Sequence, residues 1–370
     1  MTSAGRFNYS YHRTGSDRHS AAGVTAAAKS AMSAPAPITE LAAPADDTLR
    51  AQVFTGAQPV VLRGLVARWP AVSAARAGAR AFVAYLRPLD NGTPVDAILT
   101  PPQVCGRIFY SEGMSGFNFV RNKLTITAIA EQVLRYAAFP QPPAVAVQSA
   151  LLRDCLPRFA SDNVLTVLPA AVLPRFWFGT ALTTPTHLDE WHNIGCVVCG
   201  RRRFTLFPPE QIDNLYIGPL DFAPTGAPMS LVQLFAPDFG RFPKFKTALA
   251  AAVNCELAPG DAIYIPPLWW HHVESLEPCN ALVNYWWHAG DGLPAGAASG
   301  FDSLLHAMLN LRALPPTVRA AWRALFEHYV FGDPAGVAEH IAPGRAGILG
   351  PLSPADIERL RAVLAARLKS

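Results

Sequence analysis

Between about residues 163 and 288 the chain strings together short runs rich in Val, Ile, Phe, Trp and Tyr, cut at intervals by Pro and Gly. That is the pattern of many short strands. Asn193 to Phe207 breaks at Gly200 into two runs, which predicts a hairpin or a bend. The turn signal Pro259-Gly260-Asp261 introduces a strand over Ala262–Pro266, and Trp269–Ser275 and Ala281–Trp287 complete the series. From Pro208 to about 255 runs a long Pro/Gly-rich connection with one helix near 243–252; connections of that length are often lids or binding loops.

The flanks read differently. Pro59–Arg63 is a short strand closed by Gly64, Ala81–Leu86 a helix, and Arg107–Tyr110 and Phe117–Phe119 strands around a Gly113/Gly116 turn. Leu124–Tyr136 carries Ile126, Ile129, Val133 and Leu134 on one helical face. After about 300 the period is helical again, over Phe301–Leu314, Val318–Val330 and from about 354. The last helix has Ser353 as N-cap, Pro354 at its first position and a stripe of Ile357, Leu360, Val363, Leu364 and Leu368. Residues 1–38, rich in Ser, Ala, Gly and Arg, read as a disordered leader. The plan is leader (1–38), one β-rich domain with a mixed α/β lead-in (39–300), and a helical C-terminal region (301–370). The fold class expected is mainly β with flanking helices, a jelly-roll or barrel.

Composition supports a folded body: 51% of the 370 residues are hydrophobic and 16% charged, against a usual charged share of about 25%. A net charge of +4 is too weak to mark a nucleic-acid surface by itself. No run reaches membrane-span length and the first 30 residues lack a signal-peptide core, so a cytoplasmic protein with no membrane partner is expected. The six cysteines do not form a small-domain disulfide framework. Cys196 and Cys199 lie three apart in a strand-like run, facing opposite ways, which argues against a shared metal.

The chemistry concentrates in Thr184-Pro-Thr-His187-Leu-Asp189 and, about 80 residues on, Trp269-Trp-His271-His272. There is no phosphate loop and no His-Glu-x-x-His, and Gly113-Met-Ser115-Gly116 is one residue too short for a nucleophile elbow. In a strand, His187 and Asp189 leave the same face. With one imidazole of the later pair they make a two-histidine, one-carboxylate face of the kind that holds Fe(II) with open positions. A buried histidine bonded to an aspartate is the plainer alternative for His187 and Asp189 alone.

The stretches Thr184–Pro209 and Pro259–Trp287 resemble the cupin-like JmjC hydroxylases, Fe(II)- and 2-oxoglutarate-dependent oxygenases related to the asparaginyl hydroxylase that acts on hypoxia-inducible factor. The lead-in stretches Pro59–Pro70 and Tyr110–Phe119 are similar to its bacterial branch. The resemblance implies a double-stranded β-helix with iron held by His187, Asp189 and His271, while His272 points away. It implies that 2-oxoglutarate meets Arg202, where the hydroxylase has lysine, and Thr184, with Asn193 and Asn284 lining its pocket. Gln148 and Trp286 fall on the substrate side, with Trp269, Trp270 and Phe176 or Trp177 as candidate walls. Ala146 stands where the hydroxylase has an anchoring tyrosine, so another hydroxyl, such as Tyr110 or Tyr264, substitutes or the cosubstrate is held less tightly. Dioxygen and 2-oxoglutarate are the implied partners, with a protein side chain as favoured substrate and a small molecule as the other option. A homodimer through the last helix is expected. The alternatives are a non-catalytic metal- or ligand-binding cupin module and a cupin enzyme using another divalent metal.

Overall fold

The computed structural model describes residues 36–288, 300–342 and 344–368. The expected leader lies outside the described residues as far as 35. Residues 36–38 depart from it: Ala36–Pro37 pairs with Val253–Asn254, and Ile38 is buried in the main core. The described residues divide into two compact units, 36–189 with 193–286, and 190–192 with 287–368.

Eight strands build the centre: β1 Arg175–Gly179, β2 Thr183–Leu188, β3 His192–Cys199, β4 Arg202–Phe207, β5 Val253–Leu257, β6 Ala262–Ile265, β7 Trp270–Ser275 and β8 Asn280–Trp287. They form two four-stranded arrays, in the orders β6-β3-β8-β1 and β5-β4-β7-β2. Pairs β3/β6, β4/β5, β4/β7, β2/β7 and β1/β8 are antiparallel. This is the jelly-roll that the strand spacing predicts. Its interior is filled from both sheets by Val197, Phe204, Leu206, Leu257, Ile263, Ile265 and Leu282. Burying each such side chain contributes about 1.5–3 kcal/mol.

Gly200 explains the break after β3. Instead of turning back on itself, the chain crosses there from one sheet to the other, so the bend is realised and the hairpin is not. Gly200 sits at φ +70°, and a Cβ would lie 2.5 Å from both Asn280 Oδ1 and the Cys279 carbonyl. Only glycine fits.

The lead-in widens the first sheet. Thr39–Ala42 and Val60–Arg63 add to the β6 edge, and Ala144–Val147, Val95–Thr100 and Val120–Leu124 extend beyond β1. Arg107–Tyr110 and Phe117–Phe119 form isolated bridges in place of the expected strands. The Asn118 side chain takes the ladder positions there, accepting from Phe109 N (2.8 Å) and donating to the Arg107 carbonyl (2.9 Å). The helix Ile126–Tyr136 is capped by Thr125, whose hydroxyl accepts from Ala128 N at 3.2 Å.

The contact of β1 with the lead-in is tight. A Cβ on Gly179 would meet the Val145 carbonyl at 2.2 Å and Ala146 Cα at 2.7 Å. Backbone atoms cannot rotate away, so Gly179→Ala is expected to cost about 3 kcal/mol, the upper end for overpacking. Urea unfolding of the two proteins checks this.

The long connection is no free loop. Its Leu215, Val232, Leu234, Phe245 and Leu249 pack with Phe207 and Trp270 on the outer face of the β2/β7/β4/β5 sheet. It also edges β2: Met229 bridges to His187, and Ser230 N donates to the Thr186 carbonyl at 2.8 Å. In the second unit, helices span Gly300–Leu311, Pro316–Tyr329 and Pro354–Leu368. Ser353 caps the last, accepting from Asp356 N at 3.2 Å, and Val363, Leu364 and Leu368 of its stripe are exposed. No described helix is long and apolar enough to cross a membrane.

Candidate metal centre

His187 on β2 and His271 on β7 are direct cross-strand partners. Their rings lie 4.2 Å apart, and His271 Nε2 is 3.5 Å from Asp189 Oδ2. One donor atom from each of His187, Asp189 and His271 falls within 4.8 Å of the others. Backbone carbonyls orient both rings: His187 Nδ1–H donates to Pro185 O at 2.8 Å and His271 Nδ1–H to Trp269 O at 3.0 Å. Each Nε2 lone pair is thereby left for a ligand, the usual arrangement behind metal-bound histidines. Burial, followed by the neighbouring His271 ring, holds His187 below the ordinary histidine pKa, favouring the neutral form a metal needs. The residues present fit a divalent ion.

A bulge sets the facing of β2. Between the pairs His187↔His271 and Thr184↔Val273, two residues of β2, Pro185 and Thr186, oppose His272 alone. Proline has no N–H to give to the ladder, so a bulge is a natural place for it. The extra residue resets the alternation, and Thr184 and His187, three apart, both face inward.

Asp189 is held as firmly as the rings. Its Oδ2 accepts from Asn193 Nδ2 (3.1 Å) and Trp286 Nε1 (3.2 Å). Asn193 Oδ1 accepts from Asn284 Nδ2 at 3.4 Å, and Asn284 Oδ1 accepts from Trp177 Nε1 at 2.9 Å. Two amides and two indoles from β1, β3 and β8 thus fix one carboxylate.

Beside this set lies a small cavity of about 20 Å³, lined among others by Ala146, Gln148, Trp177, Thr184, Arg202 and Ser275. Arg202 is its unusual member. Arg201 pairs with Glu256 and Glu277, and Arg203 with Glu256 and Glu274. Arg202 points the other way and is buried. Among the described residues no carboxylate pairs with it, and its Nε has no hydrogen-bond partner. Burial lowers its pKa to about 10, which still leaves it charged at neutral pH. A buried, unpaired cation is costly, and an anion entering the cavity would relieve it.

The residues singled out from the sequence divide as follows. His187, Asp189 and His271 converge; Thr184, Arg202 and Gln148 share the cavity; Asn193, Asn284 and Trp286 act through the hydrogen-bond chain to Asp189. His272 lies opposite Thr205, edge-on to Phe235 at 5.6 Å, with neither ring nitrogen bonded. Of the candidate walls, Trp177 lines the cavity, while Trp269 and Trp270 belong to the inner and outer cores. Phe176 stacks on Phe178. Neither Tyr110 nor Tyr264 stands in for the missing tyrosine: their hydroxyls donate to the carbonyls of Phe222 and Phe54. Ser275 was overlooked. It is the register partner of Arg202 and follows His271 by four residues, so strand parity alone could have found it. Cys199 is within 3.8 Å of the Cys279 sulfur, while Cys196 is buried elsewhere.

A jelly-roll that brings together two histidines from its strands and an aspartate at a strand end defines a cupin-class protein with a candidate metal centre. The chain belongs to the cupin-like domain family, whose pattern it matches over residues 46–292. Its relatives include the human bifunctional peptidase and (3S)-lysyl hydroxylase JMJD7, 26% identical over 280 residues, which cover 68% of this chain and 83% of that one. Human HSPB1-associated protein 1 is 33% identical over 146 residues, 39% of this chain and 29% of its own length. The Arabidopsis thaliana lysine-specific demethylase JMJ31 is 35% identical over 116 residues, 31% of this chain and 21% of the demethylase. The chain therefore spans less than a third of two of these relatives.

Proposed function

We propose that the protein is an Fe(II)- and 2-oxoglutarate-dependent hydroxylase, with a protein side chain as its favoured substrate. The observation that carries this reading is Arg202, a buried guanidinium that no carboxylate among the described residues pairs with, in a cavity beside a His-Asp-His donor set. His187, Asp189 and His271 would hold the iron. Arg202, with the Thr184 and Ser275 hydroxyls, would take the far carboxylate of 2-oxoglutarate, for which a planar guanidinium fork is well shaped. Iron held there would supply the oxidising chemistry from 2-oxoglutarate and dioxygen, with succinate and carbon dioxide as the expected co-products.

The chain's own share is positional. The Pro185 and Trp269 carbonyls keep each imidazole turned with Nε2 inward. Asn193 and Trp286 hold the Asp189 carboxylate in one orientation. The jelly-roll interior keeps bulk water from Arg202, so a carboxylate there is bound in a low-dielectric setting. As a second proposal, the exposed apolar side chains of the C-terminal helices, Leu309, Trp322, Leu325 and Tyr329 among them, favour pairing of two copies of the chain.

The test is succinate formation from 2-oxoglutarate by protein loaded anaerobically with Fe(II) and then exposed to oxygen, with no substrate added. Slow turnover is expected. Tight metal binding without turnover would favour a binding module or a cupin enzyme using another divalent metal. Absence of both would overturn the reading.

A further inference from the structure

Arg175 stands on the inner face of β1. It alternates with Trp177, two residues on, and is the register partner of Asn284 on β8, so it shares a face with the side chains that fix Asp189. Its guanidinium carbon lies 5.4 Å from the centre of the Trp286 ring, and the Nε1–H of that ring donates to Asp189 Oδ2 at 3.2 Å. One nitrogen, Nη1, is tethered to the carbonyl and hydroxyl of Ser149, both at 3.3 Å. Ser149 itself sits at φ +51°, a left-handed conformation that serine adopts at some cost. It directly follows Gln148 of the cavity wall.

Two features set Arg175 apart from an arginine that merely packs. Partial burial lowers its pKa, yet among the described residues no carboxylate pairs with it, unlike Arg63, Arg201 and Arg203. No protein group among the described residues engages Nε or Nη2, so one edge of a fixed guanidinium is left to grip a carboxylate with two parallel hydrogen bonds. Arg202 and Arg175 come from opposite sheets, and neither has an anionic partner among the described residues. The inward faces of the two sheets thus carry two cationic positions, one buried and one half-buried, where the proposed cosubstrate needs one.

We propose that Arg175 is a substrate-recognition residue, holding a carboxylate of the substrate over Trp286 beside the metal centre. This rests on the oxygenase reading and narrows its substrates to acidic ones. The carboxylate belongs either to an acidic residue of a peptide or to a free small acid.

The test uses the full chain, metal-free and separately loaded with Mn(II) and 2-oxoglutarate under nitrogen. It is titrated with acetyl-Ala-Asp-Ala-amide, with the Asn counterpart and with propionate, following tryptophan fluorescence. Loss of the response in Trp286→Phe assigns the signal. The acidic peptide is expected to bind at least tenfold more tightly than the amide. Arg175→Gln should erase that preference and Arg175→Lys keep part of it, both leaving 2-oxoglutarate affinity within twofold. Tight binding of propionate as well would point to a free acid; binding of the peptide alone would point to a protein side chain. The proposal is overturned if wild type does not distinguish acid from amide or if Arg175→Gln leaves the preference intact. A loss of 2-oxoglutarate affinity in Arg175→Gln equal to that of Arg202→Met would also overturn it. The metal-free titration reads Arg175 without turnover, so failure of the oxygenase reading shows separately as absence of succinate.

Discussion

Asp189→Ala is expected to lower divalent-metal affinity by more than about 100-fold and to bring 2-oxoglutarate turnover to background. The substitution removes the one anionic donor of the set. It also leaves the Asn193 amide and the Trp286 indole N–H, both aimed at Oδ2, without their acceptor. Asn193→Ala removes one orienting bond and keeps all three donors, so a smaller loss of about 10–100-fold is expected, the usual effect of a partner behind a metal ligand. Mn(II) titration followed by electron paramagnetic resonance reads both, with near-UV circular dichroism to verify packing. Full metal affinity in Asp189→Ala would remove the centre from where the three side chains converge. An effect of Asn193→Ala as large as that of Asp189→Ala would mean that the asparagine does more than orient.

Arg202→Met is expected to move stability and cosubstrate binding in opposite directions. In the free protein the guanidinium is buried without a counter-charge, and replacing such a cation by an apolar chain of similar length should stabilise by about 1–3 kcal/mol. For a domain of this size that corresponds to a rise in Tm of about 2–4 °C per kcal/mol. The same change removes the charge that would meet a carboxylate. Losing one partner of a buried charged pair costs about 2–5 kcal/mol, enough to weaken 2-oxoglutarate binding by 30-fold or more, roughly. Calorimetric melting of both proteins with and without 2-oxoglutarate separates the effects: the variant should melt higher alone and show no shift on ligand addition. A variant that melts lower and still binds 2-oxoglutarate would mean that Arg202 is a structural cation.

Six of the eight central strands were legible because Val, Ile, Phe, Trp and Tyr cluster in runs that Pro and Gly close, and the two histidine stretches stand on such runs; Arg175–Gly179 and Val253–Leu257 were not singled out. The lead-in strand Val120–Leu124 left little trace. It is an edge strand whose residues are almost all exposed, so its sequence, VRNKL, carries no buried alternation to read. Thr184 was reached only through resemblance. Strict alternation places it on the face opposite His187, and the bulge at Pro185–Thr186 that reverses this is a property of the pairing with β7. Arg175 was invisible for a related reason: its importance comes from Trp286 and Asn284, more than 100 residues away in the chain. The arginine triplet, by contrast, sorted itself. Period two puts Arg202 opposite to Arg201 and Arg203, and the acids that meet the outer pair are on the two neighbouring strands and a turn.

Ala146 lines the cavity beside Arg202 and faces Gly179, which has no side chain. Where the resembling hydroxylase carries a tyrosine, this wall presents only a methyl group, a difference of one phenol ring. On the proposed oxygenase reading, that difference would fall where an inhibitor could tell this protein from its relatives. A 2-oxoglutarate mimic with a small substituent directed at Ala146 would meet a methyl group here and a ring in a tyrosine-bearing protein, so it is expected to bind the wild type more tightly than Ala146→Tyr.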